Sequence, residues 1–274
     1  AALSMLATAC GNSSSEGIAD SQPAATTVRM DFFHKPLPEI PLPNDIATRF
    51  DATSPTRRRV NASLVAPTGF ERDVRRLLDQ LDGWGTLQPI VIPFTGPLDV
   101  PSILAGHRDP NYGFSDDVVY LINIDRASAE FGQPHALDLG NGNYPLVLES
   151  RDRYWKNAPR GDSMSLVYEE VDEDNNDNGV LDPREDTDAD GMLDVPNYLP
   201  GATPAGDDLA GRTDALLTFY ERATNTLIAK PLVPLRERTT YAVVVTRRLL
   251  DENGEAVGSP YEYINHTAQT ESLA

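Results

Sequence analysis

Carboxylate and amide side chains recur at matching positions of two adjacent twelve-residue segments. The first segment runs from Asp174 to Glu185 and carries side-chain oxygens at its positions 1, 3, 5, 9 and 12. Gly179 stands at position 6, where a sharp turn needs a positive φ angle, and Val180 at position 7 can offer its carbonyl. This spacing is typical of a loop that surrounds a hard cation such as Ca²⁺ with oxygen ligands. The predicted ligands are Asp174, Asn176, Asn178, Val180, Asp182 and Glu185, the last of them bidentate.

A second segment of the same pattern begins at the next residue, Asp186, and ends at Asn197. It repeats the oxygens of positions 1, 3, 5 and 9 and the glycine of position 6. Position 12 is Asn197, which is at best a neutral, monodentate ligand, so we expect a weaker or differently completed site. The predicted ligands are Asp186, Asp188, Asp190, Met192 through its main chain, and Asp194.

The charge of this region supports the same interpretation. Twelve acidic residues and one basic residue lie between Glu169 and Asp194, a local charge of −11 in a chain whose formal net charge is −19. Crowded carboxylates repel one another unless cations lie between them. Free Ca²⁺ outside the cell would keep loops of modest affinity occupied. The alternative is a solvated acidic linker.

The tandem loops resemble known calcium modules. The first matches the loop of the EF-hand type in full and the second matches it except at position 12, but the two segments abut, so the helices that flank a paired EF-hand have no room. Pro183 and Pro196 also disfavour helices at the loop exits. The arrangement is similar to the thrombospondin type 3 and dockerin-like calcium loops of secreted bacterial proteins.

The remaining residues do not form a complete catalytic pattern. No Gly-x-Ser-x-Gly elbow is present, and Gly161-Asp162-Ser163 has no Asp-x-x-His partner downstream. The four histidines are scattered, and each is predicted to be a surface or loop residue. Whether the chain is an enzyme stays open at this point. The strong negative charge disfavours nucleic acid as a partner.

The amino-terminal residues predict attachment to a membrane by lipid. Small and apolar residues lead to Ala9-Cys10, and Cys10 is the only cysteine. This resembles the end of a bacterial lipoprotein signal peptide, in which the cysteine thiol receives a diacylglycerol. Residues 1–9 would be a signal peptide remnant, Cys10 the lipidation site and 10–28 a flexible tether. The alternative is a disordered terminus with an incidental cysteine. Together with the calcium loops, these features predict a cell-envelope location, as an outer-membrane lipoprotein facing the exterior or a secreted protein.

Hydrophobic patterning predicts a mainly β fold with one clear helix. Thr68 is the expected N-cap, Gly83 the stop, and an apolar stripe is expected to pack against a sheet. The stripe comprises Val74, Leu77, Leu78 and Leu81. Strands are predicted within Pro89–Phe94, Val118–Ile124, Tyr144–Glu149, Ser165–Tyr168, Leu227–Leu232 and Thr239–Thr246, and the strand at Val118–Ile124 is predicted to be buried.

The carboxyl-terminal strands predict an Ig-like antiparallel sandwich with one or two short helices. The strand Thr239–Thr246 leads into the turn Asp251–Glu255 and a return strand, an arrangement that resembles bacterial Ig-like modules. An ordinary antiparallel hairpin is the alternative. The predicted organisation is a β-rich domain over 29–168, a calcium-loop insertion over 169–200, and the remainder of the β domain over 201–274, a fragment truncated before a downstream domain.

Two short motifs resemble one bacterial family. Ile40-Pro41-Leu42-Pro43-Asn44-Asp45, followed by a helix and by Pro89–Phe94, is similar to the N-terminal domain of bacterial extracellular lipases of the virulence-factor type. The resemblance implies a non-catalytic N-terminal module of a lipid-anchored hydrolase-like lipoprotein, with a possible catalytic domain downstream and the calcium loops as an insertion. The full-length parent would then be a lipase or esterase. The competing hypothesis is a stand-alone, calcium-dependent adhesion or glycan-binding lipoprotein.

Overall fold

The computed structural model describes residues 19–34, 38–107, 113–139, 172–176, 178–187, 191, 193–195, 197–202 and 215–264. Within these ranges strands predominate over helices, which confirms the predicted mainly β fold. The strands are β1 (Ala19–Asp20), β2 (Thr48–Phe50), β3 (Arg58–Val60), β4 (Ile90–Pro93), β5 (Val119–Asn123), β6 (Pro134–His135), β7 (Leu137–Asp138), β8 (Tyr220–Glu221), β9 (Thr226–Pro231), β10 (Tyr241–Val245) and β11 (Tyr263–Ile264). The helices are α1 (Gly69–Leu78) and α2 (Val100–His107), and a 3-10 helix spans Asp45–Ala47.

Two antiparallel sheets dominate the described part of the chain. In one, β5 lies between β10 and β6, and β10 pairs with β5 from Tyr241↔Asn123 to Val245↔Val119. In the other, β9 pairs with β4, β7 and β8. Strands β9 and β10 lie within the predicted strands Leu227–Leu232 and Thr239–Thr246. They belong to different sheets and do not form a hairpin with each other.

The buried faces of both sheets contribute to one hydrophobic core. Alternate residues of β4, β5 and β9 are buried, as expected for strands with one face toward the core. A single cluster includes Ile90 and Ile92 of β4, Val119 and Leu121 of β5, Leu227 and Ala229 of β9, and residues of β7, of α2 and of the segment before β8. Representative members are Ile92, Leu121, Leu139, Leu227 and Leu249.

Helix α1 begins as predicted but packs on the opposite face. Thr68 caps it by accepting a hydrogen bond from Glu71 N at 3.1 Å, and the helix ends at Leu78, before the predicted stop. Arg75 is its buried residue, only 5 % exposed, and donates to the carbonyls of Ser63 at 3.1 Å and Val65 at 2.6 Å. The predicted apolar stripe is exposed, with Leu77 at 64 %, so the expectation that it packs against a sheet is wrong. Hydrogen bonds of a buried guanidinium, rather than apolar burial, position this helix.

The second helix, α2, falls within the predicted one or two short helices, but the sequence analysis did not predict its position. It follows Asp99, whose carboxylate accepts from Ser102 N at 3.2 Å in the manner of an N-cap. Gly106 lies so close to the backbone of the segment before β5 that a Cβ there would approach Asp116 O at 2.8 Å. The helix contributes Val100 and Ile103 to the core.

The segment before Arg29, predicted as tether, makes regular contacts from residue 19 onward. β1 pairs with β11, and Thr26 is buried and accepts a hydrogen bond from Gly258 N at 2.9 Å. The β-rich part therefore begins earlier than composition indicated, because backbone pairing to the strand near residue 264 holds a segment that is poor in apolar side chains. Cys10 and the predicted strands Tyr144–Glu149 and Ser165–Tyr168 lie outside the described residues. No helix within the described ranges has the length and apolar character needed to cross a bilayer.

Candidate calcium-binding loops

The first loop, residues 174–185, is a turn closed on the carboxylate of its first residue. Asp174 accepts from the main-chain N–H of Asn178 through Oδ1 and of Gly179 through Oδ2, both at 2.8 Å. Gly179 has a φ of +71°, the left-handed conformation expected at position 6. Asn176 Oδ1 accepts from Asn178 N at 3.1 Å, and Asn178 Oδ1 accepts from Val180 N at 2.7 Å. The oxygens of positions 1, 3 and 5 thus face the amides of one turn.

The side chains of positions 3, 5 and 9 meet at a single carboxylate oxygen. Asn176 and Asn178 donate through Nδ2 to Asp182 Oδ2 at 2.9 and 3.1 Å. Asp182 Oδ2 therefore accepts two hydrogen bonds from side-chain amides. In a calcium-bound loop, the cation would balance the charge of this carboxylate instead. Because a side-chain amide carries an acceptor oxygen beside its donor nitrogen, rotation of the two amides would turn all three side chains into oxygen ligands.

Position 12 of the first loop is a buried carboxylate. Glu185 is 6 % exposed, and its Oε2 accepts from the main-chain N–H of Asp182 at 3.1 Å. Its own N–H donates to Asp182 O at 2.9 Å, so positions 9 and 12 are bound to each other twice. Burying a carboxylate in a strongly acidic segment is unfavourable, and a bound cation offsets that cost.

The second loop, residues 186–197, is described in part. Gly191 at position 6 has a φ of +80°, matching Gly179. Asp186 Oδ1, at position 1, is buried and has no hydrogen-bond partner among the described residues. Leaving such an oxygen without a partner costs about 1–3 kcal/mol, so it is a natural ligand for a cation. The predicted ligands Asp188, Asp190 and Met192 lie outside the described residues.

Asn197, at position 12 of the second loop, binds the β-rich domain. Its Nδ2 donates to the carbonyls of Leu217 at 2.8 Å and Tyr220 at 2.7 Å. Its Oδ1 is buried and has no hydrogen-bond partner in the part of the chain that the structure describes. The side chain thus anchors the loop exit to the segment that leads into β8.

Glu173, which the sequence analysis did not select, connects the two loops. The residue precedes the first loop and is 0 % exposed. Its Oε1 accepts from the main-chain N–H of Thr187 and, at 2.8 Å, from the Thr187 hydroxyl. Its Oε2 accepts from Asp194 N at 3.3 Å, and its own N–H donates to Asp194 O at 2.9 Å. Glu173 lies twelve residues before Glu185, which is the length of one loop, and this spacing in the sequence could have identified it.

Within the described residues, no group of three or more His, Cys, Asp or Glu side chains is arranged to hold a metal ion. In the first loop the carboxylates at positions 1, 9 and 12 are engaged by main-chain amides and by the two asparagines. The donor set suits calcium by its chemistry, since carboxylate, amide and main-chain oxygens are all present. An ion would require these oxygens to move closer together.

A buried His–Asp pair lies elsewhere in the fold. His107 Nδ1 is 3.4 Å from Asp117 Oδ1, and Nε2 accepts from the main-chain N–H of Val118 at 3.2 Å and Val119 at 3.3 Å. His107 is buried at the end of α2, so the expectation of a surface histidine is wrong at this position. Because Nε2 is engaged by the backbone, this pair ties α2 to β5 and is not arranged as a general base.

An open cleft of about 640 Å³ is lined by residues 27–31, His34 and Glu39 together with Thr95 and Pro260. Arg29 and Glu39 form an ion pair across it at 2.6 Å, and His34 Nε2 is 3.6 Å from the same glutamate. The second carboxylate of the lining, Asp31, accepts hydrogen bonds from the main-chain N–H groups of Phe33 at 2.8 Å and His34 at 3.1 Å. Gly161, Ser163 and His266 lie outside the described residues.

Comparison with known proteins yields no relative. No protein-family model matches the chain, and no match was found among the curated proteins or the solved structures that were searched.

Proposed function

We propose that the chain is a non-catalytic, calcium-stabilised β-rich module of a lipid-anchored bacterial envelope protein, and that the first and second loops each hold a Ca²⁺ ion. The observation that carries the calcium proposal is the turn of the first loop, in which Asp174 binds the amides of Asn178 and Gly179. This arrangement places oxygens of positions 1, 3 and 5 around one turn. Asp186 Oδ1, a buried oxygen that accepts no hydrogen bond within the described ranges, supports a second ion.

In this proposal calcium has a structural role. The predicted ligands are those of the sequence analysis, with Asp174, Asp182 and Glu185 supplying negative charge to the first ion. Binding to the folded state alone would stabilise it by roughly 2.7 kcal/mol at a hundredfold excess of free Ca²⁺ over Kd. Asn197 would couple this stabilisation to the β-rich domain, because its side chain is hydrogen-bonded to the carbonyls of Leu217 and Tyr220.

The module hypothesis has support from the surface of α1. The side chains of Phe70, Val74 and Leu77 are exposed on one face of this helix, with Phe70 at 80 %. A neighbouring domain of the same protein would bury this face. The proposed sandwich is an Ig-like arrangement of the β5 and β9 sheets, and it is compatible with a core to which both sheets contribute.

The anchoring part of the proposal depends on lipidation of Cys10, with the residues between Cys10 and β1 as the tether to the outer membrane. In the producing bacterium, the wild-type protein should partition into the detergent phase and Cys10→Ser should remain in the aqueous phase. Equal partitioning of both proteins would rule out a lipid anchor at Cys10, and the proposal would then be a secreted module.

Calcium binding is tested by the thermal midpoint of the full chain in millimolar Ca²⁺ and in excess chelator. We expect a higher midpoint with Ca²⁺, a smaller rise for Asp174→Asn, and the wild-type rise for the control Asp177→Asn, since position 4 of the loop provides no ligand. Identical midpoints of the wild type in the two conditions would overturn the proposal.

A further inference from the structure

Strand β10 is the edge strand of its sheet in the part of the chain that the structure describes. The strand order is β10–β5–β6, so β10 pairs on one side with β5. The ladder continues just beyond both ends of β10, where Ile124 N donates to Thr240 O and Thr246 N donates to Val118 O, each at 2.9 Å. In an antiparallel ladder, residues that bond to the partner strand alternate with residues that do not. The main-chain groups of the even-numbered residues of β10 therefore face β5, and those of the odd-numbered residues face outward.

The outward-facing residues are Tyr241, Val243 and Val245. Among the described residues, their N–H and C=O groups form no main-chain hydrogen bond on the side away from β5. Exposed edge strands are usually protected by proline, by a charged side chain, by a bulge or by short length. The five residues of β10 include neither proline nor a charge, and they pair with β5 residue by residue without a bulge. This edge is therefore open to pairing with a further strand.

Val243 marks the space that a further strand would fill. Its side chain lies on the same face of the sheet as those of Tyr241 and Val245, which pack against the hydrophobic core. Its partner across the ladder, Leu121, is only 2 % exposed. Val243 is nevertheless 38 % exposed, because it lies at the outer edge. A strand added along β10 would cover this side chain.

The charges around β10 favour an acidic partner. The segment 236–250 contains four arginines and one acidic residue, in a chain whose net charge is −19. Two of the arginines are engaged, Arg236 by Glu130 and Arg248 by the carbonyl of residue 117. Arg238 and Arg247 stand at the two ends of the strand, and both are exposed without an ion pair in the described ranges. Carboxylates at the ends of an added strand would complement these two arginines.

A second copy of the chain fits this edge poorly. Antiparallel pairing of two β10 strands about Val243 would place Arg238 of one copy opposite Arg248 of the other. Like charges directly opposite each other destabilise a strand pair. Each copy also carries the same large negative charge, which opposes association.

We infer that the outer edge of β10 binds an extended segment of a partner protein, which adds to the sheet as a further strand. The segment has alternating apolar side chains and carboxylates at its ends. Its main chain would pair with Tyr241, Val243 and Val245, its apolar side chains would cover Val243, and its carboxylates would meet Arg238 and Arg247. The inference does not depend on calcium or on the lipid anchor.

The experiment uses a capped synthetic peptide, Glu-Asp-Thr-Val-Thr-Val-Thr-Val-Asp-Glu, titrated into the full chain. Calorimetry measures the affinity, and amide hydrogen exchange locates the contact. We expect saturable binding and slower exchange of the N–H groups of Tyr241, Val243 and Val245. The control peptide carries lysine in place of each acidic residue, and it should bind at least about tenfold more weakly because its charges repel the arginines.

Val243→Pro tests the edge itself. The N–H of Val243 faces away from β5, so proline removes the outward donor without removing a bond of the existing ladder, and edge strands accept proline at such positions. We expect the affinity for the acidic peptide to fall at least about tenfold, since one main-chain bond is lost and its acceptor is left without a partner. Val243→Lys places a charge on the same edge and is the second variant if the proline variant folds poorly. Val243→Thr keeps the N–H and the β-branched shape, and it should retain binding.

Reversal of the two flanking charges tests the chemistry of the partner. The double variant Arg238→Glu, Arg247→Glu should prefer the lysine peptide to the acidic one. Arg222→Glu reverses a charge in the turn after β8, in the other sheet, and should keep the wild-type preference.

Three results would overturn the inference. The first is a wild-type chain without saturable binding of the acidic peptide, and the second is binding of wild-type strength in Val243→Pro and Val243→Lys. The third is dimerisation of the wild type that Val243→Pro abolishes, which would assign the edge to a second copy. Retention of the acidic preference in the double arginine variant would overturn the acidic character of the partner.

Discussion

Asn197 and Leu217 bind each other through two hydrogen bonds. Leu217 N donates to Asn197 O at 2.7 Å, and Asn197 Nδ2 donates to Leu217 O at 2.8 Å. Leu217 belongs to the hydrophobic core, and so does Tyr220, whose carbonyl accepts from the same Nδ2. The last residue of the second loop is therefore attached directly to the core of the β-rich domain.

Removal of the Asn197 side chain should destabilise the β-rich domain. Asn197→Ala takes the donor away from two carbonyls, and we expect the free energy of unfolding to fall by about 1–3 kcal/mol. Urea denaturation of the full chain measures the change. Asn253→Ala is the control, because Asn253 is exposed in the turn before residue 256, and its effect should stay within about 0.5 kcal/mol. Equal losses for the two variants would contradict the attachment.

Tyr220 provides a second polar connection inside the core. Its hydroxyl accepts from Leu98 N at 3.0 Å and donates to Asn225 Oδ1 at 3.1 Å, and burial raises the pKa of the phenol above its ordinary value. Tyr220→Phe leaves a buried N–H and an amide oxygen without this partner. We therefore expect a loss of about 1–3 kcal/mol in thermal or urea unfolding. Tyr261→Phe, at an exposed tyrosine, should change the stability little.

Local sequence signals predicted the parts of the fold that depend on neighbouring residues. Thr68 caps α1, Gly179 adopts a positive φ, and β5 and β10 form within the apolar runs that predict them. The turn after residue 250 also forms, with Asp251 N donating to Glu255 O at 2.8 Å. Each of these features is specified by residues close together in the chain.

Features that depend on distant residues were not predictable in this way. The pairing of Glu173 with Asp194 joins residues on either side of both loops, and spacing within one loop does not reveal it. His107 is buried where the main-chain N–H groups of Val118, just before β5, and Val119, its first residue, donate to its Nε2. In α1, periodicity identified the apolar face correctly, but only the carbonyls of Ser63 and Val65 explain why the Arg75 face is turned inward.

The two faces of α1 should respond differently to substitution. Arg75→Ala removes a buried guanidinium that binds Glu71, Ser63 O and Val65 O, and hydrogen bonds of charged groups are worth about 1.5–3 kcal/mol. We expect urea unfolding to show a loss of at least that size, only partly restored in Arg75→Lys, because lysine lacks the planar fork. Leu77→Ala should change stability by no more than about 0.5 kcal/mol in the isolated chain. A larger loss for Leu77→Ala than for Arg75→Ala would show that the apolar face is the one that holds the helix.

The β2–β3 hairpin should contribute a pH-dependent part of the stability through Asp51. Thr53 donates to Asp51 Oδ1 through Oγ1 at 2.6 Å and through N at 2.8 Å, and Arg59 Nε donates to Oδ2 at 2.6 Å. The Thr53 hydroxyl and then the Arg59 guanidinium hold the pKa of this carboxyl well below its ordinary value. Because the pKa is lowered on folding, the stabilisation is present above the ordinary aspartate pKa of about 3.9 and is lost as the pH falls toward the lower folded value.

Asp51→Asn tests this contribution. The stability difference between wild type and Asp51→Asn should be largest at neutral pH and should shrink in acid, because protonation of the unfolded wild-type chain then removes the advantage of the ionised carboxylate. Urea midpoints of both proteins, measured from neutral pH to about two units below the ordinary aspartate pKa of about 3.9, give the comparison. The control is Asp82→Asn, which removes one exposed carboxylate at the end of the segment after α1 and corrects for the change in net charge. A wild-type advantage over Asp51→Asn that stays constant across this range would mean that Asp51 titrates alike in the folded and unfolded chains, and the hydrogen bonds from Thr53 and Arg59 would then not favour its ionised form.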